Sequence, residues 1–121
     1  MALQDNAIVS SAHLAQGSGA VLSEVEYGII VANNAMQRWI VRCMVASGGP
    51  EELTYTDVLV LHNVYHRSRA KRLADICFTL NIEDTHTVAY ALRKLNKLNL
   101  VKTEKRGKES FYQVGKEGKK I

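Results

Sequence analysis

Between Lys71 and Val114 the apolar residues change their period, and the order of those changes narrows the folds open to this chain more than any other feature. Leu73, Ala74, Cys77 and Leu80 recur at helical spacing, and so do Val88, Ala91, Leu92, Leu95 and Leu98, so each set lines one face of an α-helix. The residues between them suit a tight polar turn. Asn81 accepts the left-handed backbone that closes a helix, and Glu83-Asp84-Thr85 supplies the cap that opens the next. Two β-prone runs follow, Leu100-Val101-Lys102-Thr103-Glu104-Lys105 and Ser110-Phe111-Tyr112-Gln113-Val114, around Arg106-Gly107-Lys108-Glu109. The pattern predicts helices over 71–80 and 85–98 with a turn at 81–84, then a hairpin with a glycine in its turn.

Upstream, Leu22, Val25, Ile29, Ala32, Met36, Trp39, Ile40 and Cys43 form one helical stripe. Ser23-Glu24-Val25-Glu26 has the pattern of a capping box, and Gly48-Gly49-Pro50 ends the run. This predicts a long helix within 21–48. At ~5.4 Å per turn it outreaches the core of a domain this small, so its stripe packs either on its own domain or against a second chain. Val25, Ile29, Met36, Trp39 and Ile40 are the dimerisation candidates. After Leu53, Thr54-Tyr55-Thr56-Asp57 offers a second cap, and Val58, Leu61, Val64 and Tyr65 share one face of a helix running to about His66. Residues 1–20 are small, polar and spotted with Gly and Ser, and read as a flexible arm. The expected organisation is that arm followed by one domain over 21–121, with the long helix at 21–48 and a compact unit at 53–114.

The formal charge of +4 is unevenly spread: residues 1–53 carry −3 and residues 54–121 carry +7. A polyanion-binding surface therefore belongs to the second half. No apolar run reaches the roughly 20 residues of a membrane span, and 1–18 lacks the order of a secretory signal, so a soluble, cytoplasmic protein without membrane partners is expected. Cys43 and Cys77 are too few for a disulfide scaffold and are expected to be buried thiols. His62 and His66 share a helix face, but no neighbouring carboxylate or cysteine completes a metal site. With no phosphate-cradling glycine loop, metalloprotease motif or Ser-His-Asp set, neither a cofactor nor an enzyme activity is expected.

From Leu53 to Lys120 the chain resembles the MarR family of bacterial transcription regulators. The residues that carry this are Leu53-Thr54, then Arg72-Leu73-Ala74-Asp75-Ile76 with Leu80-Asn81-Ile82, then Thr87-Val88, Leu95 and Leu98-Asn99-Leu100-Val101, and finally Val114-Gly115-Lys116-Glu117-Gly118. Asn81 and Asn99 stand where that family usually has Gly. The hairpin is shorter than usual and lacks the familiar Asp-x-Arg, with Lys108 falling where the tip arginine would lie. The sequence stops at Ile121, where members of that family continue into further C-terminal helices that complete the dimer interface, so the resemblance implies either a shortened relative or a piece of a longer chain.

The expected fold class is mainly α with a small β-hairpin wing (α+β), a winged helix-turn-helix preceded by a long N-terminal helix. The expected function is a sequence-specific regulator of repressor type, binding double-stranded DNA as a homodimer. Thr85, His86, Thr87, Ala89, Tyr90 and Arg93 are the base-contact candidates at the outward positions of the second helix. Arg69, Lys71, Arg72, Lys94, Lys102, Lys105, Arg106 and Lys108 are the phosphate-contact candidates. The alternatives are a winged helix that binds protein rather than DNA, and a regulator that responds to a small-molecule effector or to oxidation at Cys43.

Overall fold

A computed structural model of the protein describes residues 19–121. In chain order the elements are α1 (Gly19–Ala46), α2 (Tyr55–Tyr65), α3 (Leu73–Leu80), α4 (Thr85–Lys97), β1 (Val101–Arg106) and β2 (Glu109–Val114). Single 3₁₀ turns stand at His66–Ser68 and Gly118–Lys120. The mainly helical architecture with a two-stranded hairpin is the expected winged helix-turn-helix class. The chain divides into two compact units, one ending at Trp39 and the other spanning Ile40–Ile121.

In the second unit the caps are built from the residues that announced them. Thr54 accepts at Oγ1 from the Asp57 N–H (3.3 Å), while the Asp57 carboxylate accepts from the Thr54 N–H (2.9 Å), a reciprocal capping box at the start of α2. Asp84 caps α4 by accepting from the His86 N–H at 2.9 Å. Helices α3 and α4 both end in a left-handed asparagine, Asn81 at φ 56° and Asn99 at φ 60°. In each case the next residue's N–H reaches back five positions, Ile82 to the Cys77 carbonyl and Leu100 to that of Leu95. This is the Schellman closure, with asparagine serving where glycine usually does.

Helix α2 is the centre of the unit, packed against α3, α4 and β2. Val58, Leu61 and Val64 are buried as their stripe predicts, and so is Val60, which lies off it, because neighbours cover α2 on more than one side. Ile76 and Cys77 of α3, Val88, Ala91, Leu92 and Leu95 of α4, and Leu100 and Val101 complete the core. One charge lies inside. The side chain of Asp57 is only 4% exposed, and it is paired with Lys94 at 2.8 Å; the same ammonium donates to the Glu52 carbonyl at 2.7 Å.

The hairpin pairs Val101 with Val114 through to Arg106 with Glu109, leaving the two-residue turn Gly107-Lys108. Gly107 has φ +67° and Lys108 does not have a positive φ, the pattern of a Gly-first hairpin turn. A single-residue bridge adds Lys71 to the edge of β2: its N–H donates to the Tyr112 carbonyl (3.0 Å) and its carbonyl accepts from the Tyr112 N–H (2.8 Å).

Helix α1 departs from the expectation at its start. It begins at Gly19, so Ser23 lies inside the helix rather than at its cap. The remainder of the expected arm, residues 1–18, lies outside the described residues. Not one α1 residue is buried. Ile40, expected among the dimerisation residues, packs with Met44 against the core of the second unit, and Cys43, expected to be buried, is exposed while Cys77 is buried. Among the described residues no helix is long and apolar enough to cross a membrane.

Two substitutions test these supports. Lys94→Met leaves the Asp57 carboxylate without its cation and is expected to lower stability in urea unfolding by about 3 kcal/mol. Asn81→Gly is expected to leave stability within a few tenths of a kcal/mol, whereas Asn81→Ala, forced into the left-handed region, costs about 1 kcal/mol.

Candidate nucleic-acid interface

The outward face of α4 follows from its inward one. With Val88, Ala91, Leu92 and Leu95 buried, the 100° step per residue leaves His86, Tyr90, Arg93 and Lys97 in one stripe on the far side, all exposed, with half-buried Ala89 beside them. Tyr90 is 67% exposed, and the Arg93 guanidinium lies 5.9 Å from its ring centroid, so the two side chains support each other at the centre of the stripe. Thr85 and Thr87 are exposed in the first turn, on either flank.

The basic residues divide sharply by what holds them. The Lys71 ammonium donates to the carbonyls of Val64 (3.1 Å), His66 (2.6 Å) and Arg69 (3.1 Å), which uses all three of its protons. Those carbonyls come from the end of α2 and from the strained loop after it, in which Arg67 and Ser68 take φ 57° and 50° without being glycine. Burial, then the charge of Arg69, holds the Lys71 ammonium below the ordinary lysine range. Lys94 is committed to Asp57 and Glu52. Arg72 grips Asp75 with two nitrogens (3.1 and 3.2 Å) and reaches Glu109 on β2 at 3.5 Å; the hydrogen bond from Arg72 holds the Asp75 carboxyl below the usual carboxylate range. Arg106 pairs with Glu104 at 3.3 Å and lies 4.7 Å over the Phe111 ring. Arg69, Arg93, Lys97, Lys102, Lys105 and Lys108 are exposed and, among the described residues, have no carboxylate partner.

Residues 53–118 match the winged helix DNA-binding domain family model, which covers more than half of the chain. The chain belongs to that family. The winged helix fold is similar in solved structures to a MarR-family transcriptional regulator from Rhodococcus sp. RHA1, with 14% identity and a TM-score of 0.68 over 84% of this chain and 70% of that one. It is also similar to MarR itself (17% identity, TM-score 0.64, 80% and 69% of the chains) and to the YusO protein of Bacillus subtilis (14%, 0.54, 86% and 72%). No curated protein matches the sequence.

In winged helix terms, α3 and α4 are the helix-turn-helix and β1–β2 the wing. The wing has two unlike faces, because side chains alternate along a strand and Val101 pairs with Val114. Thr103, Lys105, Ser110 and Tyr112 share the face of Val101, towards α4; Lys102, Glu104, Arg106, Glu109, Phe111 and Gln113 share the other. Lys97 was absent from the sequence candidates, although it stands four residues after Arg93 on the same stripe. The signal was present in the helical period. His62 and His66 line a common cleft, but the described residues contain no group of three metal-ligating side chains.

Lys71 carries the join between wing and helix-turn-helix: its main chain pairs with Tyr112 while its ammonium closes the loop after α2. Lys71→Met is expected to lower unfolding stability by about 2 kcal/mol and to speed hydrogen exchange at the Tyr112 amide, measured by NMR.

Proposed function

We propose that the protein is a sequence-specific transcription regulator of repressor type that binds double-stranded DNA as a homodimer. The observation that carries this reading is the exposed stripe of α4, an aromatic and an arginine supported on each other, facing away from the core. A helix inserted in the major groove reads base edges with such side chains: Arg93 suits guanine, Tyr90 and His86 reach bases or phosphates, and Thr85, Thr87 and Ala89 suit thymine methyls or neighbouring edges. Arg69, Lys102, Lys105 and Lys108, free of carboxylates, are the phosphate contacts of this reading. Lys71 and Lys94 drop out of that set because their protons are engaged inside the protein, and Arg72 and Arg106 meet a phosphate only by releasing their carboxylates.

Dimerisation is supported by α1, where Val25, Ile29, Met36 and Trp39 stand on one stripe with Ile29 63% and Trp39 62% exposed. Apolar side chains exposed in such a row mark an interface. A two-fold dimer spaces its recognition helices by about 34 Å, one turn of DNA, and so expects a near-palindromic operator. An effector-responsive form of the same reading is favoured by a cleft of about 440 Å³ at the end of α2, where His62, His66 and Arg67 stand beside Met44, Leu61, Tyr65 and Ile121.

The test is fluorescence anisotropy with the protein's own promoter region against random duplex across a salt titration. Tighter promoter binding is expected throughout, and equal affinity for both overturns the reading. Tyr90→Ala and Arg93→Ala are each expected to cost about 1–3 kcal/mol of promoter affinity. Light scattering is expected to give twice the 13.5 kDa of one chain, falling to one chain in Ile29→Glu.

A further inference from the structure

We infer that the groove between α4 and the inner face of the wing seats a backbone phosphate of the bound DNA strand, with Lys97 as its principal ligand and Arg93 beside it; this rests on the DNA-binding reading above. The groove has a volume of about 330 Å³ and is lined by Ala89, Leu92, Arg93, Asn96, Lys97 and Thr103, with Tyr112 at its wing side. A volume of this size accepts a small-molecule-sized group such as one nucleotide of a strand. Its width is fixed. The Asn96 amide donates to the Thr103 hydroxyl, tying the last full turn of the recognition helix to the first strand of the wing.

Charge then selects the occupant. Arg93 and Lys97 enter the groove from α4 with no carboxylate partner among the described residues, and Lys105 lies on the same wing face two residues beyond Thr103. The wing carboxylates, Glu104 and Glu109, are on the opposite face and are occupied there by Arg106, Gln113 and Arg72. The inner face therefore carries no carboxylate, only a cation and neutral hydrogen-bonding groups, whereas the outer face holds both wing carboxylates in pairs, with Lys102 beside them as a cation without a carboxylate partner. A polyanionic strand is drawn to the first and gains little from the second. The groove also opens beside the Tyr90–Arg93 pair, so a strand seated in it passes directly alongside the base-reading stripe. The groove strand thus meets the hairpin on its helix-facing side, and Arg106, the most conspicuous cation of the wing sequence, supports Phe111 on the far side instead.

The experiment measures binding of the full chain to a labelled random-sequence duplex over a range of salt, by anisotropy. Each phosphate contact contributes about 0.9 to the slope of log affinity against log salt. Lys97→Gln is expected to lower that slope by about 0.9 per protomer engaged, Lys97→Arg to keep it, and Arg106→Gln to leave it unchanged. Circular dichroism checks that each variant is folded, and Lys97 is exposed, so its replacement removes no core contact. An unchanged slope in Lys97→Gln, or an equal loss in Arg106→Gln, overturns the groove assignment while DNA binding stands. Inorganic phosphate that displaces the duplex at matched ionic strength identifies a free anion as the occupant and also overturns it. A wild-type chain that binds no duplex at any salt overturns this assignment and the DNA-binding reading together.

Discussion

The position of the recognition helix depends on one buried carboxylate. Asp57 closes the first turn of α2 through the Thr54 N–H and also takes the Lys94 ammonium of α4, whose further bond to the Glu52 carbonyl reaches the segment before α2. A charge taken from water is tolerated only when its lone pairs are satisfied, so these partners are bound to one geometry. The consequence is rotational. Lys94 held inward on one flank and Leu92 and Leu95 held in the core leave α4 a single orientation, the one that turns Tyr90 and Arg93 outward.

A second fixed point sets the wing. Lys71 belongs to the sheet through its main chain and to the end of α2 through its ammonium, and the following residue, Arg72, links α3 to β2 through Asp75 and Glu109. The strain stored at Arg67 and Ser68 is compensated by the three carbonyls that the ammonium gathers. With α4 fixed on α2 by Lys94, and the wing fixed on the same helix by Lys71, the helix-to-wing separation is set by two lysines that never face solvent freely.

Local signals made the fold legible. The capping pair Thr54 and Asp57, the cap Asp84, the stripe of α4 and the Gly107 turn all act over a few residues, and the structure has each of them. The two asparagines that depart from the family's glycines follow the same backbone logic, because the left-handed closure selects for φ rather than for glycine. What a linear reading could not separate was the fate of the cations. Lys94 finds its carboxylate thirty-seven residues away, a pairing with no trace in either neighbourhood, so it looked as available as Lys102 or Lys108; Arg72 has a local partner in Asp75, three residues on, and only its longer reach to Glu109 was hidden. Val60 was hidden for a related reason: burial on a second side is decided by elements that arrive later in the chain. Lys97 needed only one more step along the helical stripe.

Helix α1 has a different thermodynamic character from everything that follows it. Its 28 residues span about 42 Å, and none is buried. Tertiary packing supplies most of the stability of helices in folded proteins, and among the described residues α1 meets the buried core at Ile40 and Met44. Toward Gly19 its apolar side chains, Ile29 and Trp39 among them, stand exposed, so a partner that covers them adds to the stability of the helix. In a protein that self-associates there, the stability of α1 becomes a function of concentration, rising as chains pair, while the capped and cored unit beyond it is held by its own contacts. The level of the protein would then be registered as structure, in a segment separate from the surface proposed to meet DNA.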